Sequence, residues 1–134
     1  MEASDCVDRR VARLLQASTH GIGLEYDKVW VGDDLLGIVA WLSKVGEAYP
    51  NKLPVACYPA PTLYTAAKWL REERGIHVEV GTDMEDNNEV AWYATVALCG
   101  QLPDDNTGNY HSYEDALNAG IELAITTYKD YAGA

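Results

Sequence analysis

The chain has 134 residues, of which 48% are apolar and 23% are charged, proportions typical of a globular protein. One domain over residues 1–134 is therefore predicted, with residues 1–3 and 131–134 expected to fray. The formal net charge of −11 repels phosphate backbones, and this disfavours sequence-independent binding of duplex nucleic acid.

Membrane and disulfide-stabilised classes are not expected. No apolar run reaches the roughly 18 to 20 residues that span a bilayer, and the N-terminus is acidic rather than signal-like. Cys6, Cys57 and Cys99 are odd in number and have no CxxC spacing, which argues against a disulfide framework and against a zinc site. We expect a cytoplasmic protein whose thiols are reduced and mostly buried.

The first predicted elements are a helix over residues 4–17 and a strand over 22–31. In the helix, apolar side chains recur every three or four residues, and Ser4 or Asp5 is expected to cap it. Residues 33–48 are ambiguous, because their apolar spacing favours a capped helix while part of the segment also suits a strand.

Proline and glycine mark the next boundaries. Four prolines in residues 50–61 predict an extended connector, because proline is excluded from helix interiors and central strands. The clearest helix follows over residues 61–74, with Pro61 in its first turn and Gly75 beyond its end.

The C-terminal half alternates between strands and turns before a last helix. A strand is predicted from Ile76 to Val80, a polar turn over 83–89, and a second strand over 90–99. Residues 100–111 are predicted to be a loop. Ser112 should cap a final helix whose apolar stripe includes Gly120, a position that lets another backbone come close. The order of elements predicts an α+β fold in which a small antiparallel sheet packs against helices.

The strand over residues 90–99 is apolar on both faces. Val90, Trp92 and Ala94 point to one side, whereas Ala91 and Tyr93 point to the other. An exposed apolar face is usually covered by another surface, so a homo-oligomer is expected.

Three segments in the second half carry a resemblance to a known family. They are the Lys-Trp-Leu-Arg-Glu sequence that begins at Lys68, the Ile-His-Val-Glu-Val strand that begins at Ile76, and Tyr-Glu-Asp-Ala-Leu-Asn-Ala-Gly-Ile from Tyr113. Together they resemble a family of small proteins common in Bacteroidetes genomes, their prophages and tailed phages. The resemblance covers roughly residues 57–130 and implies a phage or prophage accessory protein in the cytoplasm of the host cell. It implies no catalytic residues.

The candidate ligand-binding residues are aromatic and basic. The chain has four Trp and nine Tyr but no Phe, so nearly every large ring carries a polar group suited to a wet boundary. Stacking rings beside guanidinium groups are what a nucleotide requires. The predicted set is Tyr64, Lys68, Trp69, Arg71, Arg74, His77, Trp92 and Tyr93.

Ordinary structural roles explain many of the same residues. Trp69 could belong to the core, and Lys68 and Arg71 could pair with neighbouring glutamates on the helix. His77 and Glu79 share one strand face, which permits a metal or acid–base pair, but the same face could equally be solvated. No motif predicts a catalytic residue, a metal or a cofactor.

Two hypotheses about function follow. In the first, the chain binds and sequesters a small anionic host molecule, such as a nucleotide immune signal, without catalysis. In the second, it is a protein-binding inhibitor or adaptor whose acidic surface mimics nucleic acid and occupies a basic site on a host enzyme. An enzyme is the third alternative.

Overall fold

The computed structural model describes residues 5–19, 25–31, 33–37, 57–101 and 105–127. Within these ranges it contains three α-helices, which are α1 (Arg9–Thr19), α2 (Leu63–Glu73) and α3 (Tyr113–Thr127). The predicted frayed ends, the capping residue Ser4, and residues 38–56 lie outside the described residues.

In the same described ranges, six strands form two antiparallel sheets. In the first sheet β1 (Lys28–Val31) lies between β2 (Asp34–Gly37) and β3 (Cys57–Pro59). In the second sheet β5 (Val90–Leu98) lies between β4 (Ile76–Met84) and β6 (Asp105–Asn106). Helices and antiparallel strands share one compact domain, so the predicted α+β class is confirmed, with two small sheets in place of one.

The hydrophobic core lies where the three helices meet one face of the β4–β5 sheet. Gly120 of α3 sets the closest approach, because a Cβ atom there would lie 2.6 Å from Ala94 Cβ and 2.7 Å from Val78 Cγ1. The predicted close contact at Gly120 is therefore found in the structure. The largest fully buried side chains include Val7, Val11, Leu15, Leu70, Ile76, Val96 and Ile121.

Helix α1 begins later than predicted. Asp8 is its capping residue, since the Val11 amide donates to Asp8 Oδ1 at 2.8 Å and the Ala12 amide donates to the Asp8 carbonyl at 2.8 Å. Asp5, one of the two predicted caps, instead lies in a short turn ahead of the helix. The residues between Asp5 and the helix make tertiary contacts instead. The observed cap, Asp8, therefore lies three residues beyond the predicted Asp5.

The helix favoured for residues 33–48 is wrong where the structure describes it. Asp34–Gly37 is strand β2, which pairs with β1 in the register Val29↔Leu36 and Trp30↔Leu35. A tight turn followed by strand pairing outweighs a weak helical periodicity in so short a segment.

The proline-rich connector also contains a strand. Cys57–Pro59 forms β3, which pairs with β1 alone among the described strands, so Pro59 occupies an edge. Proline is tolerated at an edge because its missing N–H then faces away from the ladder.

Helix α2 and the β4–β5 hairpin are confirmed. Thr62 caps α2, with its Oγ1 accepting from the Thr65 amide at 3.1 Å. The prediction that Pro61 lies in the first turn is therefore wrong, because the helix begins at Leu63 and Pro61 precedes the cap. Gly75 ends the helix region at φ +67°, a left-handed conformation that favours glycine. β4 continues to Met84, beyond its predicted end.

The segment predicted as a loop supplies the third strand of its sheet. Asp105–Asn106 pairs with Thr95 and Val96, and Tyr110 pairs with Trp92 through amide–carbonyl bonds of 2.7 and 2.9 Å. The segment then enters α3, where the Asp115 amide donates to Ser112 Oγ at 3.1 Å and confirms the predicted cap.

Candidate functional site

A groove of about 570 Å³ runs between α2 and α3, and it contains two of the predicted ligand-binding residues, Tyr64 and Arg71. Its volume falls in the range of roughly 300–1,000 Å³ that is usual for small-molecule sites. Ten described residues line it: Asp5, Thr62, Leu63, Tyr64, Ala67, Arg71, Val78, Tyr113, Glu114 and Leu117.

One wall of the groove is a face of α2. Tyr64, Ala67 and Arg71 are three and four residues apart, which places them on the same side of a helix. The Tyr64 side chain is 71% exposed, so its ring is open to solvent and to a ligand. Lys68 is also exposed on α2 but is not among the groove-lining residues.

The other wall is the first turns of α3. Tyr113 is 47% exposed, while Leu117 is buried and, with Leu63 and Val78, gives the groove an apolar floor. The Tyr113 ring meets the Trp92 ring edge-on, with centroids 6.0 Å apart and planes at 82°. Trp92 therefore supports the groove through Tyr113 instead of lining it.

Trp69 and Arg74 lie away from the groove. Trp69 is 8% exposed and belongs to the core, as its structural interpretation predicted. The Arg74 guanidinium lies 4.9 Å from the centroid of the Trp69 ring, a cation–π contact. The two arginines of this helix end thus face different surroundings, although the sequence places them only three residues apart.

The proposed pairing of the basic residues with helix glutamates is not found. Within the described ranges, basic and acidic side chains come within 4.0 Å of each other at Arg10 with Glu122 and at His77 with Glu79. Lys68 and Arg71 have no carboxylate within ion-pair distance in that part of the chain. The Arg71 guanidinium is therefore available to a ligand in the groove.

His77 and Tyr93 lie on the other face of the β4–β5 sheet. His77 Nε2 is 3.8 Å from Glu79 Oε2, and their side chains are 44% and 69% exposed. The Tyr93 ring covers Gly81 on the neighbouring strand. The eight predicted residues therefore do not form one site: the structure places only Tyr64 and Arg71 in the groove, with Trp92 behind it.

Metal-binding and thiol chemistry receive no support from the described residues. No group of three or more His, Cys, Asp or Glu side chains there could hold a metal ion. The expectation that the cysteines are mostly buried holds for Cys6, whereas Cys57 is half-buried and Cys99 is exposed. Burial raises the pKa of the Cys6 thiol, which disfavours a nucleophilic thiolate at that position.

Sequence reasoning missed the α3 wall. Tyr113, Glu114 and Leu117 were interpreted only as the start of a capped helix. The signal that could have found Tyr113 was an aromatic residue directly after a helix cap and three residues beyond Tyr110. Its partner across the groove could not be predicted, because α2 and α3 are separated by the whole β4–β5 hairpin.

Comparisons of the chain with known protein families, with curated proteins and with solved structures found no match. None of the helices in the described ranges is long and apolar enough to cross a membrane.

Proposed function

We propose that this protein binds and sequesters a small anionic molecule with an aromatic ring, and that the ligand occupies the groove between α2 and α3. The observation that carries the proposal is the meeting of Tyr64, Arg71 and Tyr113 around an apolar floor. Two tyrosine rings offer stacking surfaces, and a guanidinium offers paired donors to a phosphate or carboxylate.

The chemistry of the groove favours binding over turnover. Its titratable side chains are Asp5, Tyr64, Arg71, Tyr113 and Glu114, and they include no cysteine, histidine or serine that could serve as an activated nucleophile.

The biological setting is part of the same proposal. The resemblance to proteins of Bacteroidetes prophages and tailed phages suggests an accessory protein that acts in the cytoplasm of the host. A nucleotide immune signal combines a ring with phosphate, so its capture would counteract a host defence.

The test is a thermal-shift screen against nucleotides that range from monophosphates to cyclic dinucleotides. Binding to the folded state alone must raise the unfolding midpoint. Ligand recovered intact after denaturation supports sequestration, and chemically altered ligand contradicts it.

Arg71→Ala is the variant that locates the site, and Arg74→Ala is its matched control. A charge-assisted bond contributes roughly 1.5–3 kcal/mol, so Arg71→Ala should weaken binding by about 10- to 100-fold. Arg74→Ala removes a cation of the same helix end that lies over Trp69, and it should leave affinity within about twofold. Equal losses in both variants would contradict the groove as the site.

A second candidate, protein binding through an acidic surface, is favoured by the charge pattern. Residues 75–128 contain ten Asp or Glu and no Lys or Arg. Residues 82–90 of the β4–β5 hairpin are all exposed, including Met84 at 61% and Val90 at 51%. An acidic tip with an apolar pair could occupy a basic site on a host enzyme.

This alternative is tested by replacing Glu85 and Glu89 with Lys. If inhibition of a host enzyme is the function, that variant should lose it while the groove variant Arg71→Ala retains it. The reverse result favours small-molecule capture.

A further inference from the structure

Strand β4 forms an edge of its sheet within the described part of the chain. Among the described strands it pairs with β5 alone, whereas β5 also pairs with β6. The second half of β4 is accessible, because Glu79 and residues 82–84 are exposed and residues 80–81 are half-buried. An edge strand of nine residues offers a row of backbone donors and acceptors to another strand.

The hydrogen bonds of β5 show which backbone groups of β4 point to that edge. Trp92 exchanges amide–carbonyl bonds with Tyr110, so its backbone groups point to the β6 side. The direction alternates along an antiparallel strand, so Tyr93 directs its groups to β4, where Gly81 is its partner. Gly81 in turn directs its groups to β5. The even-numbered residues of β4 therefore direct theirs away from β5, towards the edge.

The side chains of β4 follow the same alternation. Even-numbered side chains face the core, as Val78 and Val80 do. Odd-numbered side chains lie on the outer face, and they include the ionisable groups of the strand, His77, Glu79 and Asp83. Like charges directly opposite each other destabilise a sheet. A strand that pairs at this edge must therefore keep carboxylates away from Glu79 and Asp83.

Antiparallel pairing of β4 with a copy of itself meets this condition in one register. A two-fold axis at Val80 aligns all nine residues of both strands and brings their outward backbone groups together. His77 then lies opposite Asp83 of the second copy. An axis at Glu79 would place two glutamates opposite each other, and an axis at Gly81 would place Glu79 opposite Asp83. Axes nearer either end of the strand pair fewer residues.

We propose that β4 pairs with β4 of a second copy, antiparallel and centred on Val80, so that the two β4–β5–β6 sheets become one continuous sheet. Charges on an edge strand ordinarily prevent such pairing, and here they leave one register open. A second copy is the occupant because the row of charges is complementary to itself, with His77 and Asp83 equally far from the axis. The inference concerns assembly and does not depend on the ligand of the groove.

Light scattering of the full chain between about 1 and 100 µM measures the association, and the wild type should be a dimer at the upper concentrations. Asp83→Lys places a cation opposite His77 in both symmetric pairs, so it should weaken the dimer at least about fivefold. His77→Glu added to Asp83→Lys makes the pairs opposite in charge again and should recover most of the affinity.

Asp86→Lys is the matched control for these variants. It makes the same change of net charge in the exposed turn beyond β4, so it should not weaken the dimer. Unfolding midpoints establish that each variant is folded.

Cross-linking tests the register itself. Opposite residues that are not hydrogen-bonded have Cα atoms about 4.5 Å apart, a distance that a disulfide can bridge. In a Cys99→Ala background, which removes an exposed native thiol, a mixture of His77→Cys and Asp83→Cys chains should form a disulfide-linked dimer. Neither variant should do so alone, because each new thiol lies about 20 Å along the strand from its own copy.

Other results overturn the proposal. A strict monomer at about 100 µM contradicts the dimer. A dimer that Asp83→Lys weakens no more than Asp86→Lys does, with no cross-link in the mixture, places the interface elsewhere on the chain. A Glu79→Cys chain that cross-links by itself in the same background contradicts the register, since that position meets its own copy only when the axis lies at Glu79.

Discussion

Each face of the β4–β5 sheet has a close contact between a glycine and a neighbouring side chain. The glycine is Gly120 of α3 on the inner face and Gly81 of β4 on the outer face, and the two contacts have different consequences. On the inner face, a Cβ at Gly120 of α3 would meet Ala94 Cβ at 2.6 Å and Val78 Cγ1 at 2.7 Å. On the outer face, a Cβ at Gly81 of β4 would meet Cζ and Oη of Tyr93, both at 2.9 Å. The distances are similar, but the atoms differ in their freedom to move.

The comparison distinguishes a contact with an atom that is fixed to the backbone from a contact with a side chain that can rotate away. Ala94 Cβ is fixed to the backbone of a central strand and cannot withdraw unless the strand moves. The far end of Tyr93 can swing aside by rotation about its side-chain bonds. The inner face is therefore a fixed contact that positions α3 and its groove wall, whereas the outer face is covered by a ring that can adjust.

The outer face also bears on the predicted homo-oligomer. Ala91 and Ala97 point to that face, yet they are only 1% and 5% exposed in a single chain. These two alanines are thus already covered, whereas Val90 at the start of the same strand is 51% exposed. Assembly remains a prediction, and an interface would have to use other exposed residues, such as Tyr64, Met84 or Tyr113.

The largest effect is expected for Gly120→Ala. Overpacking typically costs about 1–3 kcal/mol, and alanine in place of glycine in a helix returns roughly 1 kcal/mol of propensity. Because Ala94 cannot yield, we expect a net loss of about 1–2 kcal/mol in the free energy of unfolding, measured by urea denaturation.

The matched control for that variant is Gly108→Ala. A Cβ at Gly108 has nothing within 4 Å, so stability should stay within about 0.5 kcal/mol of the wild type. A Gly120→Ala variant as stable as this control would show that the inner face can adapt after all.

An intermediate effect is expected for Ser112→Ala, which tests whether α3 depends on its cap as well as on packing. Loss of the 3.1 Å bond from the Asp115 amide to Ser112 Oγ should cost about 1 kcal/mol. The free energy of unfolding should recover most of this loss in Ser112→Asp, since aspartate is also a good capping residue. Failure of Asp to rescue would argue that the serine acts by other contacts.

The smallest effect is expected for Gly81→Ala. The added methyl displaces the Tyr93 ring, but alanine in a strand interior is favoured over glycine by roughly 0.5–1 kcal/mol. The two effects should nearly cancel, leaving the unfolding free energy within about 0.5 kcal/mol of the wild type. Changed NMR signals of the Tyr93 ring would report its displacement, and a loss above about 2 kcal/mol would contradict an adaptable outer face.

The fold was most predictable where local chemistry and tertiary packing agree. The Ser112 cap of α3, the left-handed Gly75 and the close approach at Gly120 all follow from residues that have one strong preference. Asp34–Gly37 was mistaken because four residues are too few to distinguish helical from strand spacing. The pairing of Tyr110 with Trp92 was missed because its hydrogen bonds join backbone groups. Polar loop residues provide such groups as well, so no alternating apolar pattern in the sequence indicates the pairing.

The site was predictable only along a single helix. Tyr64 and Arg71 are seven residues apart, so helical geometry alone places them on one face. The same geometry points Trp69 towards the core, which the aromatic composition did not reveal. The contribution of α3 to the groove depends on how distant parts of the chain pack together.

The segment that contains Asp105–Asn106 and Tyr110 has a further consequence, which concerns aggregation. β5 is a long run of β-favouring side chains, Val-Ala-Trp-Tyr-Ala-Thr-Val-Ala-Leu, with no charge and no proline. Such a strand at an open edge would be a template for edge-to-edge association and amyloid-like stacking. The Asp- and Asn-rich segment occupies that edge with backbone bonds from Thr107 to Ala94 and between Tyr110 and Trp92. This segment, whose residues 105–110 are half-buried or exposed, thereby keeps an aggregation-prone strand paired within its own chain.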